Sequence, residues 1–187
     1  HGTSRRQRQM CIRDRNALLE NEASNNTAVG YQAGTTNTTG TQYVFVGYRA
    51  GYQSTGASEG SVAIGYEALY AAGGPQRNVA VGTQALYDTT NYGDNNTGIG
   101  YRALFSNTSG SVNVAVGYEA GYSNTTGTNN VSVGDQALYG CTTGGNNTAV
   151  GTDAGQNISS GSNMTLLGHA AGTVSYTHLT LPTRSTV

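Results

Sequence analysis

The sequence predicts an all-β chain folded as a β-solenoid, a parallel β-roll of nine 17–18-residue coils. Three observations predict it. A phrase of aliphatic residue, Gly, two residues and Ala recurs nine times, its glycines being Gly30, Gly47, Gly65, Gly82, Gly100, Gly117, Gly134, Gly151 and Gly168. Successive glycines are 17 or 18 residues apart. β-Branched residues occupy alternate positions ahead of each one, which is a strand signal. So short and fixed a period means stacked identical units, none of which buries its apolar face alone.

The strand comes first in each unit. Val29, Val46, Ile64, Val81, Ile99, Val116, Val133, Val150 and Leu167 precede the glycines. Two places earlier stand Thr27, Val44, Val62, Val79, Thr97, Val114, Val131, Thr148 and Thr165. Alternation puts both columns on one face. The residue between them is mostly small (Ala28, Ala63, Ala80, Gly98, Ala115, Ser132, Ala149), with Phe45 and Leu166 as exceptions. Stacked at about 4.8 Å, nine such strands make a rod about 40 Å long.

The turn comes next. The glycine bends the chain, and Ala follows three residues later in every copy, from Ala33 to Ala171. The column of methyls is expected to pack against the Val/Ile columns inside a thin coil. The small middle column (Ala28, Ala63, Ala80, Ala115, Ala149) is then left as a close-approach surface for other chains. After the Ala comes Leu in four coils (Leu69, Leu86, Leu104, Leu138) and Gly in five.

Polar connectors of Asn, Thr, Ser and Gly close each coil, as turn chemistry requires. Asn precedes the strand at Asn26, Asn78, Asn96, Asn113, Asn130 and Asn147. Such amides either hydrogen-bond from rung to rung as a ladder or simply form turns.

Composition agrees with a repeat and not with an ordinary core. There are 28 Gly and no Trp, and the two Phe are Phe45 and Phe105. Disorder would not require a register, so the repeat argues against it.

The ends stand outside the repeat. Arg5-Arg6-Gln7-Arg8-Gln9-Met10-Cys11-Ile12-Arg13-Asp14-Arg15 has the look of a basic arm. It resembles the translation of a transposase-type sequencing-library adapter. Val174-Ser175-Tyr176-Thr177-His178-Leu179-Thr180-Leu181-Pro182-Thr183 resembles the translated reverse complement of the same element. The expected organisation is therefore adapter-derived residues 1–15, a repeat domain over 16–172 cut at both ends, and adapter-derived residues 173–187. Within 16–172 three arginines (Arg49, Arg77, Arg102) and no lysine oppose nine acids, a net of −6 against −1 for the whole chain. That balance argues against nucleic acid and anionic membrane as partners. Membrane attachment would come only through missing parts of the parent protein. Cys141 is the one thiol of this span, so no disulfide forms within it.

Asn-Thr-Ala-Val-Gly-Tyr-Gln-Ala (26–33) and Ser-Val-Ala-Ile-Gly-Tyr-Glu-Ala (61–68) resemble the head repeat of YadA-type trimeric autotransporter adhesins. They are similar also to the longer Asn/Thr/Gly-rich repeat of bacterial surface and phage tail-fibre-like proteins. The resemblance covers essentially all of 16–172. It implies a left-handed parallel β-roll, a homotrimer about a three-fold axis, a place on the bacterial outer surface or virion, and a host-surface or matrix ligand. The coils here are longer than the usual head repeat, and Met164 replaces the pre-strand Asn.

No catalytic set, cofactor motif or metal set emerges from the residues, and the chain is read as non-enzymatic. His169 is the one histidine of the repeat. Three copies in a trimer would make a metal ring, but an inert outer-turn histidine is the simpler reading. Carboxylates two residues past the glycine (Glu67, Glu119, Asp153) read as a solvated face. Asn-x-Ser/Thr at Asn25, Asn37, Asn95, Asn107, Asn124, Asn146, Asn157 and Asn163 is what an Asn/Thr-rich chain gives by chance. Two tyrosine columns are the most suggestive feature. Tyr31, Tyr48, Tyr66, Tyr101 and Tyr118 follow the glycine, while Tyr52, Tyr70, Tyr87, Tyr122 and Tyr139, with Phe105, come four residues later. Stacking between coils, or burial between chains, is favoured over a ligand-binding stripe. Two other readings compete with an adhesive fibre. A hexapeptide-type left-handed β-helix acyltransferase shares the aliphatic-Gly-x-x-small phrase but needs it on every side of the coil. An ice-binding solenoid needs a flat Thr-x-Thr array.

Overall fold

The computed structural model describes residues 16–20, 22–54, 60–73, 77–89 and 93–172. The terminal segments assigned to adapter sequence lie outside the described residues. Every aliphatic-x-aliphatic-Gly phrase forms a three-residue strand: β1 Thr27–Val29, β2 Val44–Val46, β3 Val62–Ile64, β5 Val79–Val81, β7 Thr97–Ile99, β8 Val114–Val116, β9 Val131–Val133, β10 Thr148–Val150 and β11 Thr165–Leu167. These nine make one sheet in that order. All neighbours are parallel and in register, as in Val114↔Val131 and Ala115↔Ser132. Two short strands, β4 Ala71–Ala72 and β6 Asp88–Thr89, pair as a second small parallel sheet. The described residues contain no helix. The chain is thus a β-solenoid, as the period requires.

Hydrogen bonds from rung to rung continue beyond the strands. Gln84 N–H donates to the Tyr66 carbonyl at 2.8 Å, Leu86 N–H to the Ala103 carbonyl at 2.9 Å, and Gly121 N–H to the Ala137 carbonyl at 2.8 Å. The turn itself is closed by the Ala N–H on the glycine carbonyl, as in Ala154 on Gly151 at 3.2 Å. The motif glycine is required by crowding as well as by conformation. At Gly30, with φ +128°, a Cβ would stand 2.5 Å from the Gly47 carbonyl oxygen of the next rung.

The facing of the strand corrects the expectation from sequence. The small middle column points inward: Ala28, Ala63, Ala80, Ala115 and Ala149 have no exposed surface. The two aliphatic columns point outward, and Ile64, Ile99 and Val150 are each more than a third exposed. The core is therefore Ala against Ala, filled out by Leu69, Leu86, Leu104 and Leu138. The reason is thickness. The chain reverses within three residues of the strand, and the space between strand and turn admits little more than a methyl, so branched side chains must leave by the other face. The small column is consequently not a surface for another chain.

Phe45 and Leu166 obey the same arithmetic. A larger inward side chain needs a glycine in the adjoining turns. Phe45 lies between Gly34 and Gly51, and a Cβ at Gly34 would stand 2.6 Å from its ring. Leu166 lies between Gly155 and Gly172, where the corresponding separations are 2.8 and 2.7 Å. Close packing of an interior permits such exchanges only in compensated pairs.

Candidate functional site: polar and aromatic ladders on the turn face

The pre-strand asparagines are buried and form a ladder, but one of side chain to backbone. Each Oδ1 accepts the N–H of its counterpart one rung on: Asn78 from Asn96 at 2.7 Å, Asn96 from Asn113 at 2.9 Å, Asn113 from Asn130 at 2.9 Å, Asn130 from Asn147 at 3.0 Å. Each Nδ2 donates to a connector glycine carbonyl, such as Asn113 to Gly127 at 2.8 Å. Met164 ends the ladder by giving its N–H to Asn147. A second asparagine set lies in the turn. Asn107 Nδ2 donates to the Gly110 carbonyl, and Asn124 Nδ2 to Asn107 Oδ1 at 2.7 Å. Of the Asn-x-Ser/Thr positions, Asn37, Asn107 and Asn124 are thereby buried, as is Asn130 of Asn130-Val131-Ser132, while Asn25, Asn95, Asn146, Asn157 and Asn163 are exposed.

The tyrosines stack from coil to coil. Tyr52, Tyr70, Tyr87, Phe105, Tyr122 and Tyr139 form an unbroken column with centroid separations of 4.9 to 5.3 Å. Beside the strand, Tyr31, Tyr48 and Tyr66 form a second stack, and Tyr101 with Tyr118 a third. These edge rings are 38–49% exposed, so stacking covers their faces and leaves their rims to solvent. Burial pushes the Tyr66 hydroxyl above the usual tyrosine range, helped by the Glu67 carboxylate. Glu119 does the same to Tyr118, with a smaller contribution from desolvation.

Between the aromatic columns runs a polar ladder that residue-by-residue reading of the sequence missed. Its members follow the glycine by two: Gln32, Arg49, Glu67, Gln84, Arg102, Glu119, Gln136 and Asp153. Arg49 Nε donates to Gln32 Oε1 at 2.8 Å, and Arg102 Nε to Gln84 Oε1 at 2.9 Å. Gln84 Nε2 donates to Glu67 Oε2 at 3.1 Å, and Gln136 Nε2 to Glu119 Oε2 at 3.0 Å. Each arginine lies about equally far from one ring of each column: Arg49 is 5.1 Å from Tyr48 and 5.3 Å from Tyr52, and Arg102 is 5.0 Å from Tyr101 and 5.3 Å from Phe105. The signal was present in the order Gln, Arg, Glu, Gln, Arg, Glu at the repeat spacing. Glu67 and Glu119 are buried members of this ladder, not the solvated face expected of them.

His169 is exposed at the last rung, its Nε2 4.0 Å from Asp153 Oδ2. Among the described residues no three His, Cys, Asp or Glu side chains gather into a metal site. Among the described residues no helix is long and apolar enough to cross a membrane. No protein-family model, curated protein or solved structure matches the chain. The β-solenoid is consistent with a structural repeat segment, and its outward surfaces are the aliphatic sheet face and the aromatic–polar turn face.

Proposed function

We propose that the chain is a non-enzymatic, adhesive or structural segment of a homotrimeric surface adhesin or tail-fibre-like protein. The observation that carries the proposal is the outward sheet face. Of its eighteen positions in the nine strands, fourteen are Val, Ile or Leu and four are Thr. A continuous apolar strip of this kind on one face of a soluble rod marks an interaction surface. The strip is the same at every rung, so its natural complement is the strip of an identical chain. Cyclic closure of three copies about an axis parallel to the rod covers it without leaving a free edge. The resemblance of the repeat to trimeric head repeats supports three copies over two, and supports an extracellular setting.

The test uses the outward residues and not the inward alanines. Val81→Glu with Val116→Glu puts charge on the strip at two rungs. Size-exclusion chromatography with light scattering is expected to show monomers whose circular dichroism keeps the parent β spectrum. An unchanged assembly would overturn the proposed interface. Ala80→Arg, by contrast, forces a charge into the coil and is expected to abolish the fold itself.

A further inference from the structure

The edge column of tyrosines is interrupted once from within. Tyr66 closes one stack and Tyr101 opens the next, and the rung between them carries Thr83, which is exposed. Two rungs at about 4.8 Å set these rings about 10 Å apart. Within the column, neighbouring centroids are 5.2 to 5.5 Å apart. One ring inserted midway would therefore meet both walls at the spacing this protein already uses, and within the range that aromatic pairs prefer.

On the Tyr66 side exposure agrees with an uncovered face: Tyr66 is 48% exposed, against 39% for Tyr48, which has a ring on either side. Tyr101, at 38%, is no more exposed than Tyr48. Arg102 covers part of Tyr101, its guanidinium 5.0 Å from the ring centroid. It does not take the stacking position. Arg49 holds the same relation to Tyr48, at 5.1 Å, while Tyr31 stacks on that ring at 5.5 Å. The repeat thus supplies its own control: the place beside Tyr101 has room for a ring with the arginine where it is.

We infer that the slot between Tyr66 and Tyr101, floored by Thr83, docks one aromatic side chain of a partner polypeptide. The occupant is argued from the chain itself, which fills the equivalent place with a tyrosine ring at Tyr31, Tyr48 and Tyr66. On the rim, Glu67, Gln84 and Arg102 are joined by hydrogen bonds of 3.1 and 2.9 Å. Glu67 is buried behind the ring, while half-buried Arg102 keeps further N–H donors beside it for a peptide carbonyl. The inference rests on the adhesive reading only in drawing its occupant from a polypeptide.

The test is titration of the full chain with N-acetyl-tyrosinamide, followed by aromatic proton–carbon spectra. The Tyr66 and Tyr101 ring signals are assigned with Tyr66→Phe and Tyr101→Phe. Both signals are expected to shift saturably. Tyr118, which offers one open face beside Asp135, should respond at least fivefold more weakly. Thr83→Tyr should abolish the response and raise the thermal midpoint by completing the column. Should that variant not fold, Tyr66→Ala serves, and is expected to reduce binding to the level of Tyr118. Equal response at all edge tyrosines, or shifts produced by methyl β-glucoside and not by tyrosinamide, would overturn the inference. Neither result bears on the trimer, which is read from the Val/Ile face.

Discussion

Cys141 occupies a turn position that Asn37, Asn107 and Asn124 hold in other coils. Asn124 Nδ2 reaches back to Asn107, but nothing donates to Asn124 Oδ1, which is buried without a partner. Cys141 Sγ turns instead to the Gly144 carbonyl at 3.8 Å. A cavity of about 10 Å³ lies here, lined by Asn124, Ser132, Leu138 and Cys141 among others. Cys141→Asn is expected to extend the ladder by one amide and raise stability by about 1 kcal/mol, read as a higher denaturation midpoint. A lower midpoint would show that the site does not accept the amide. Val112 is a second local fault. It sits at φ 59°, in a column where other rungs place Asn25, Gln42, Asn95, Asn129 or Asn146 in the same left-handed region. A β-branched residue is strained there. Val112→Asn is expected to stabilise by roughly 1 kcal/mol; a loss would mean that Val112 makes contacts worth more than the strain.

At the scale of the coil, period and facing were unequally legible. Spacing of 17 or 18 residues and alternation placed the nine strands of the main sheet, though not the short β4 and β6, because register is written directly into the recurrence of glycine and β-branched residues. Alternation says which side chains share a face, but not which face is inside. Hydrophobicity suggested Val inward, whereas the coil is too thin for it and buries Ala80 and Ala115 instead. The Asn column was legible as a ladder, but its partners, backbone N–H groups one rung on, depend on where the connector runs. Asn113→Ala removes the acceptor of the Asn130 N–H and the donor to the Gly127 carbonyl. The buried Asn130 N–H is then unpaired, while the Gly127 carbonyl keeps Asn124 Nδ2 at 3.1 Å, and a loss of about 1–3 kcal/mol is expected in urea denaturation. The Gln–Arg–Glu ladder escaped because long polar side chains look like a solvated surface until their stacking is known.

Titration belongs to the same scale. The hydroxyls of Tyr66, Tyr87 and Tyr118 and the Cys141 thiol are all raised, the first two and the thiol chiefly by burial, Tyr118 chiefly by Glu119. The folded state therefore holds these protons more tightly than the unfolded chain. Their contribution is complete below the unfolded-state values and is lost as pH rises through the folded ones. Stability is expected to hold through neutrality and to fall in the alkaline range, beginning near the usual thiol and phenol values of about 8.5 and 10. Denaturation midpoints measured across that range check this; a midpoint that rises there would contradict it.

For the whole molecule, nine rungs of three-residue strand enclose a core mostly of alanine, with a few leucines, Phe45 and Tyr43, and this is thin. About 25 cal/mol per Å² of buried apolar surface has to offset roughly 1–2 kcal/mol of backbone entropy per residue. Hydrogen bonds repeated around every coil supply part of the balance, and the stacked rings another. What the single chain leaves uncovered is its most apolar surface, the outward Val/Ile strip. The proposed association among identical chains would bury that strip and leave the turn face outward.

Sedimentation equilibrium of the intact chain tests this most directly. A homotrimer predicts a single species at three times the 19.3 kDa of one chain, shifting to one times that mass when Val81 and Val116 are both replaced by Glu. A stable monomer of the unaltered chain would contradict it, as would a dimer.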